Sequence, residues 1–161
     1  TDTPGNYLVF FPSYDFMEKV YGEFKECPEI LIQERNMKES EREEFISNFK
    51  EDTFTTAFAV LGGPFSESID LAGKRLTGVA VVTVGIPTVT FERNILKDFY
   101  ENKNKRGFLY AYIIPGMCKV NQAGGRVIRT DTDKGRIILI DERFNPYPYR
   151  DLIPSHWNLK Q

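Results

Sequence analysis

The sequence predicts an α/β fold in which a mainly parallel sheet lies between two helical layers, and two observations carry that expectation. Its strand-like runs are almost wholly apolar, as strands buried on both faces are. Segments of helical period separate them, so successive strands are joined by crossovers and not by tight hairpins.

Tyr7-Leu-Val-Phe-Phe11 is the first such run, and Ser13 then opens a helix with Phe16, Met17, Val20, Tyr21 and Phe24 on one face. A second strand, Ile30-Leu-Ile32, leads into a helix over 37–50 whose charged first half is a solvated face and whose Phe45, Ile46 and Phe49 pack. Thr56 to Leu61 is the third strand, ending in Gly62-Gly63-Pro64 and a loop to about Thr77. Val79 to Val84 is the most β-branched run of the chain. After Gly85-Ile-Pro87, the spacing of Phe91, Ile95, Leu96, Phe99 and Tyr100 predicts another helix, closed by the basic turn Lys103 to Gly107. The run 108–114 reads equally well as strand or helix. Pro115 suits the first turn of a helix expected to continue to about Arg129, and Ile137-Ile-Leu-Ile140 is the last strand. The Pro-rich tail from Asn145 is expected to wrap the sheet edge or to lead toward a neighbouring segment.

Length and composition bound the class. At 161 residues the chain is one domain, 1–161, able to bury roughly 70% of the surface it exposes when unfolded. With 41% apolar and 27% charged residues it is globular, not disordered. No apolar run approaches the roughly 18 residues that span a bilayer, and no signal-peptide layout is visible, so an intracellular protein with no membrane partner is expected, nuclear in a eukaryote and otherwise cytoplasmic. A first residue of Thr with a strand close behind it suggests a domain of a longer protein. The net charge of -2 gives no bulk attraction to nucleic acid. Cys27, Cys118 and His156 make no metal-ligand pattern, and no metal site is expected.

Ligands of parallel sheets bind at the carboxyl ends of the strands, which directs attention to the loop Gly62-Gly-Pro-Phe-Ser-Glu-Ser-Ile-Asp70. Its glycines permit close backbone approach, and Ser66, Glu67 and Asp70 offer hydroxyl and carboxylate groups; an ordinary Gly-Pro turn is the competing reading. On a helix over 116–129, Gln122, Arg126 and Arg129 fall within an arc of about 60°, while Met117, Val120, Gly124, Val127 and Ile128 lie opposite. Two guanidiniums a turn apart suit phosphate; equally, they suit ion pairs with Asp131, Asp133 or Asp141. No G-x-x-x-x-G-K-[ST] segment occurs, so the chain carries arginines fit for a terminal phosphate and nothing that cradles the others.

Three blocks, Tyr7-Leu-Val-Phe-Phe-Pro-Ser-Tyr14, Gly63-Pro-Phe-Ser-Glu-Ser-Ile-Asp-Leu71 and Gln122-Ala-Gly-Gly-Arg-Val-Ile-Arg129 with the following Thr130 to Phe144, together closely resemble motifs IV, V and VI of the C-terminal motor domain of XPD/DinG-type superfamily 2 DNA helicases. The resemblance spans nearly the whole chain. It implies a RecA-like domain, three-layered α/β/α and P-loop NTPase-like but without its own P-loop, forming the second half of an ATP-driven motor on single-stranded DNA, with 5′ to 3′ the family's usual direction. By the same likeness Arg129 matches the arginine finger, and Arg126 and Gln122 its catalytic partners. Gly63, Glu67 and Asp70 match the nucleotide-proximal loop, while Ser13, Tyr14 and Ser66 match the DNA track; Ser13 also reads simply as a helix N-cap. ATP and Mg²⁺ are then cofactors of the full-length protein, whose N-terminal motor domain would be the partner holding the phosphate cradle and the metal. The isolated domain is expected to be inactive. Two departures stand out: Ser68 where the family usually has Gly, and Gly124 where a side chain such as Ala is more usual. A non-catalytic α/β module binding nucleic acid or protein is the alternative function.

Overall fold

The computed structural model describes residues 3–24, 30–67, 71, 75–127 and 134–159. Five strands, β1 (Tyr7–Phe11), β2 (Ile30–Ile32), β3 (Thr56–Val60), β4 (Gly78–Val82) and β5 (Arg136–Ile140), form one sheet in the order β2-β3-β1-β4-β5. Every pairing is parallel. In register, Tyr7 lies level with Thr56 and Gly78, Gly78 with Arg136 and Ile30 with Thr56, so all the strands begin level, and all but the three-residue β2 end level. Their carboxyl ends therefore make one edge of the domain.

β1 is the central strand, and its residues are nearly all buried because it is paired on both edges and covered on both faces. On one face Leu8, Phe10, Val79 and Val81 join a large core with Phe45 and Phe49 of α2 (Glu39–Ser47), Phe65 of α3 (Pro64–Glu67) and Met117 and Val120 of α5 (Ile114–Gly124). The tail closes the same core through Phe144, Tyr149, Ile153 and Trp157, so it wraps its own domain. The opposite face is thinner. There α1 (Tyr14–Glu23) sets Met17 against Phe11 and Phe58, while Ile140 at the far end of β5 stays half exposed.

Local chemistry explains the limits of the elements. Ser13 caps α1 by accepting from the Phe16 amide at 3.2 Å, and Thr90 caps α4 (Phe91–Asn104) by accepting from the Arg93 amide. Lys105 ends α4 in the left-handed conformation at φ 59°. Buried Asn6, 1% exposed, donates to the carbonyls of Lys50 and Arg75 and accepts from the Thr55 amide, tying the amino ends of the strands together.

Three sequence expectations are corrected. The helix expected over 37–50 is confined to 39–47. The ambiguous run is neither strand nor ordinary helix but a π-helical stretch, Leu109–Ile113, that runs straight into α5. α5 stops at Gly124 with Gly125 as its cap, five residues short of Arg129, because two consecutive glycines are poor helix formers. On α4, Tyr100 stacks on Tyr110, while Phe91, Ile95 and Phe99 are all more than half exposed among the described residues. No helix among the described residues is long and apolar enough to cross a membrane.

Candidate functional site

At the carboxyl edge of the sheet, β3 runs into a turn that only glycine makes easily. Gly62 has φ +76°, and a Cβ there would fall 3.0 Å from Cδ and Cε of Lys119, so the lysine stem of α5 lies across the turn. The Gly63 amide donates to Val60 O, and Pro64 starts the single turn of α3. Ser66 is 1% exposed; its hydroxyl donates to Gly63 O at 2.9 Å. That hydroxyl faces inward, where the sequence had suggested a side chain lining a DNA strand. What Ser66 offers outward is its carbonyl, which accepts from Nε of Arg126 at 3.0 Å.

Arg126 thereby joins the segment after α5 to the segment after β3. The arc calculated for an unbroken helix over 116–129 does not apply, since Arg126 stands in the turn beyond Gly125, with its amide on Ala123 O. Gln122 is still helical and exposed, and Met117, Val120 and Val127 are buried, so the division into packing and presenting sides survives up to the glycines. Asp70 and Arg129 lie outside the described residues, as do the side chain of Glu67, Ser68, Ile128, Asp131, Asp133 and Cys27.

Of the three carboxylates suggested as arginine partners, Asp141 is engaged elsewhere. It caps the turn after β5 and pairs with Arg143 at 2.7 Å. The Arg143 hydrogen bond outweighs partial desolvation and holds the Asp141 carboxyl down at about 2, from an ordinary 3.8. The same guanidinium donates to the hydroxyl of Thr83, a β-branched residue held at φ 71° just past β4. Among the described residues no group of three His, Cys, Asp or Glu is placed to hold a metal ion.

On the β1 side, Ser13 is exposed, and its cap uses an oxygen lone pair while leaving the O–H as a donor. Tyr14 is half-buried, with the Arg35 guanidinium 4.9 Å over its ring. Sequence reasoning missed the residue behind it. Gln33, 3% exposed, donates from Nε2 to the Tyr14 hydroxyl at 2.6 Å and accepts the Val60 amide on Oε1 at 2.8 Å. A glutamine just after an apolar strand was the only signal, and nothing in its spacing announces two partners from different loops. The structure thus links Tyr14, Gln33 and Val60 on one side and Gly63, Ser66 and Arg126 on the other, with the short turn 60–63 in common.

The model of the helicase C-terminal domain family matches residues 1–160. The chain is 32% identical over 187 residues to the regulator of telomere elongation helicase 1 homolog of Oryza sativa subsp. japonica, covering 96% of this chain and 18% of that protein. The homolog of Drosophila persimilis is 31% identical over 158 residues, covering 88% of this chain and 16% of its own. The chain therefore spans less than a fifth of the length of the curated relatives it matches. Among solved structures, XPD_APO superposes with a TM-score of 0.75 at 24% identity, over 94% of this chain and 31% of that one, a likeness of fold. The parallel sheet matches that fold, and with the family model covering all but the last residue the chain belongs to the helicase C-terminal domain family.

Proposed function

We propose that this domain is the second motor domain of an ATP-dependent DNA helicase that moves 5′ to 3′ on single-stranded DNA, supplying an arginine finger and part of the DNA track. The observation that carries the proposal is the Arg126 to Ser66 hydrogen bond, which draws the segment leading to Arg129 against the loop leading to Asp70. In this reading Arg129 reaches the γ-phosphate of ATP bound to the N-terminal motor domain and stabilises the charge that spreads over its oxygens during transfer to water. Arg126 keeps that segment in register with the 63–70 loop, and Gln122 presents its amide from the last turn of α5. Mg²⁺ and the remaining phosphates belong to the other half of the cleft. Closure of the cleft on ATP and its reopening after hydrolysis would alternately tighten and loosen each half on the strand.

Steady-state ATPase assays of the full-length parent test the assignment. Arg129→Ala is expected to lower kcat by about 10³-fold, and Arg129→Lys to recover little, because an ammonium lacks the planar fork. A sharp fall in melting temperature with unchanged turnover per folded molecule would make Arg129 a structural ion-pair partner and favour the non-catalytic module.

A further inference from the structure

Gln33 sits where the β2 ladder runs out. Its amide still donates to Phe58 O as a strand residue would, but the next donor on β3, the Val60 amide, is satisfied by the Gln33 side chain. That contact fixes the orientation of the carboxamide. A backbone N–H can only donate, so the atom facing Val60 is Oε1 and the atom facing Tyr14 is Nε2. The Tyr14 oxygen must then accept at 2.6 Å, which leaves its own O–H proton for another acceptor. Among the described residues, no acceptor for that proton is present.

The ring of Tyr14 is poorly disposed to stack on a base. One face carries the Arg35 guanidinium, itself held by Asp15 and Glu18, and the ring also packs against the Phe11, Met17 and Phe58 cluster. Its free group is the hydroxyl donor, beside the capping Ser13 at the carboxyl edge of the sheet. An O–H at that edge with no acceptor among the described residues matches an acceptor-only ligand, of which a phosphodiester oxygen is the one the proposed function supplies.

The geometry points to Gln33 as a positioning residue for DNA binding: it locks Tyr14 as an outward hydrogen-bond donor to a backbone phosphate and ties that donor to the Val60 to Gly63 turn. This rests on the proposed function, and it adds a polarity that the function alone does not require. The turn held by Gln33 is the one that leads into the 63–70 loop, so the DNA contact and that loop share a rigid joint.

The test exploits the near-identical shapes of glutamine and glutamate. Gln33→Glu still accepts from Val60 but can no longer donate, so the tyrosine O–H turns inward to the new carboxylate and is lost to the strand. In the full-length parent, fluorescence anisotropy with a labelled oligo-dT strand should show Gln33→Glu and Tyr14→Phe each weakening the dissociation constant by about 3- to 10-fold. The double variant should be no weaker than Tyr14→Phe alone, since both changes remove the same donor. Independent, multiplicative losses in the double variant, or a Gln33→Glu protein with wild-type DNA affinity, would overturn the inference. An equal loss with oligo-dT and a non-nucleic polyanion would also count against a defined phosphate contact. If the wild-type parent itself neither binds single strands nor hydrolyses ATP, it is the proposed function that fails.

Discussion

A methyl group on Gly124 would fall 2.3 Å from Cη2 of Trp157, a buried ring near the end of the described chain. In an unencumbered helix, replacing glycine by alanine gains roughly 0.5–1 kcal/mol. Here the sign should reverse: Gly124→Ala is expected to lose about 1–3 kcal/mol to overpacking, read from urea midpoints, and Trp157→Leu in the same chain should return part of the loss. A gain in stability from the single change would show that the ring moves aside freely. The pair also marks where reading residues in order runs out. Gly124 is visible in the sequence as a departure from the usual pattern, yet its cause is a side chain delivered by the tail. Gln33 is hidden for the same reason, because a buried amide declares its partners only when two loops meet. Ser13 was half legible, since a serine before an apolar periodic run is a cap wherever it falls. The inward hydroxyl of Ser66 is hidden in the sequence, because nothing local tells an inward hydroxyl from an outward one.

Periodic patterns fixed most of the elements, and punctuation fixed their ends less well. β1, β2, β3, β4 and β5, and helices α1 and α4, lie where apolar runs and caps put them. The helical spacing of Gln122, Arg126 and Arg129 predicts a longer α5 than the two glycines between them allow. The run 108–114 could not be assigned, since a continuous apolar stretch has no period to read. α4 shows how a correct element can still end awkwardly. Its last turn closes on Lys105 at φ 59°, a conformation that costs a side chain about 1–2 kcal/mol and glycine nothing. Lys105→Gly should therefore stabilise the domain by about 0.5–1 kcal/mol after the added freedom of the unfolded chain is set against it, seen as a higher thermal midpoint. A drop in the midpoint would mean that the stem of Lys105 makes contacts worth more than the backbone relief.

For the whole molecule, the proposed function divides the site between two bodies, in keeping with a sequence that holds Arg126 and Arg129 but no G-x-x-x-x-G-K-[ST] segment in its 161 residues. The purified 161-residue chain is accordingly expected to hydrolyse ATP at no more than the background rate in a coupled assay, with or without single-stranded DNA; robust turnover would refute the divided site. The sheet has the earliest of its five strands, β1, in the middle. β1 pairs only with β3 and β4 and with nothing that precedes them, so when the ribosome has finished Phe11 it must still add 45 residues to reach Thr56, the first residue of β3. At about 5–20 residues per second the central strand waits several seconds with both edges bare and its apolar residues unburied. During translation this is the stretch most exposed to wrong partners, and nascent-chain capture by chaperones that bind apolar segments should peak between the emergence of β1 and that of β3.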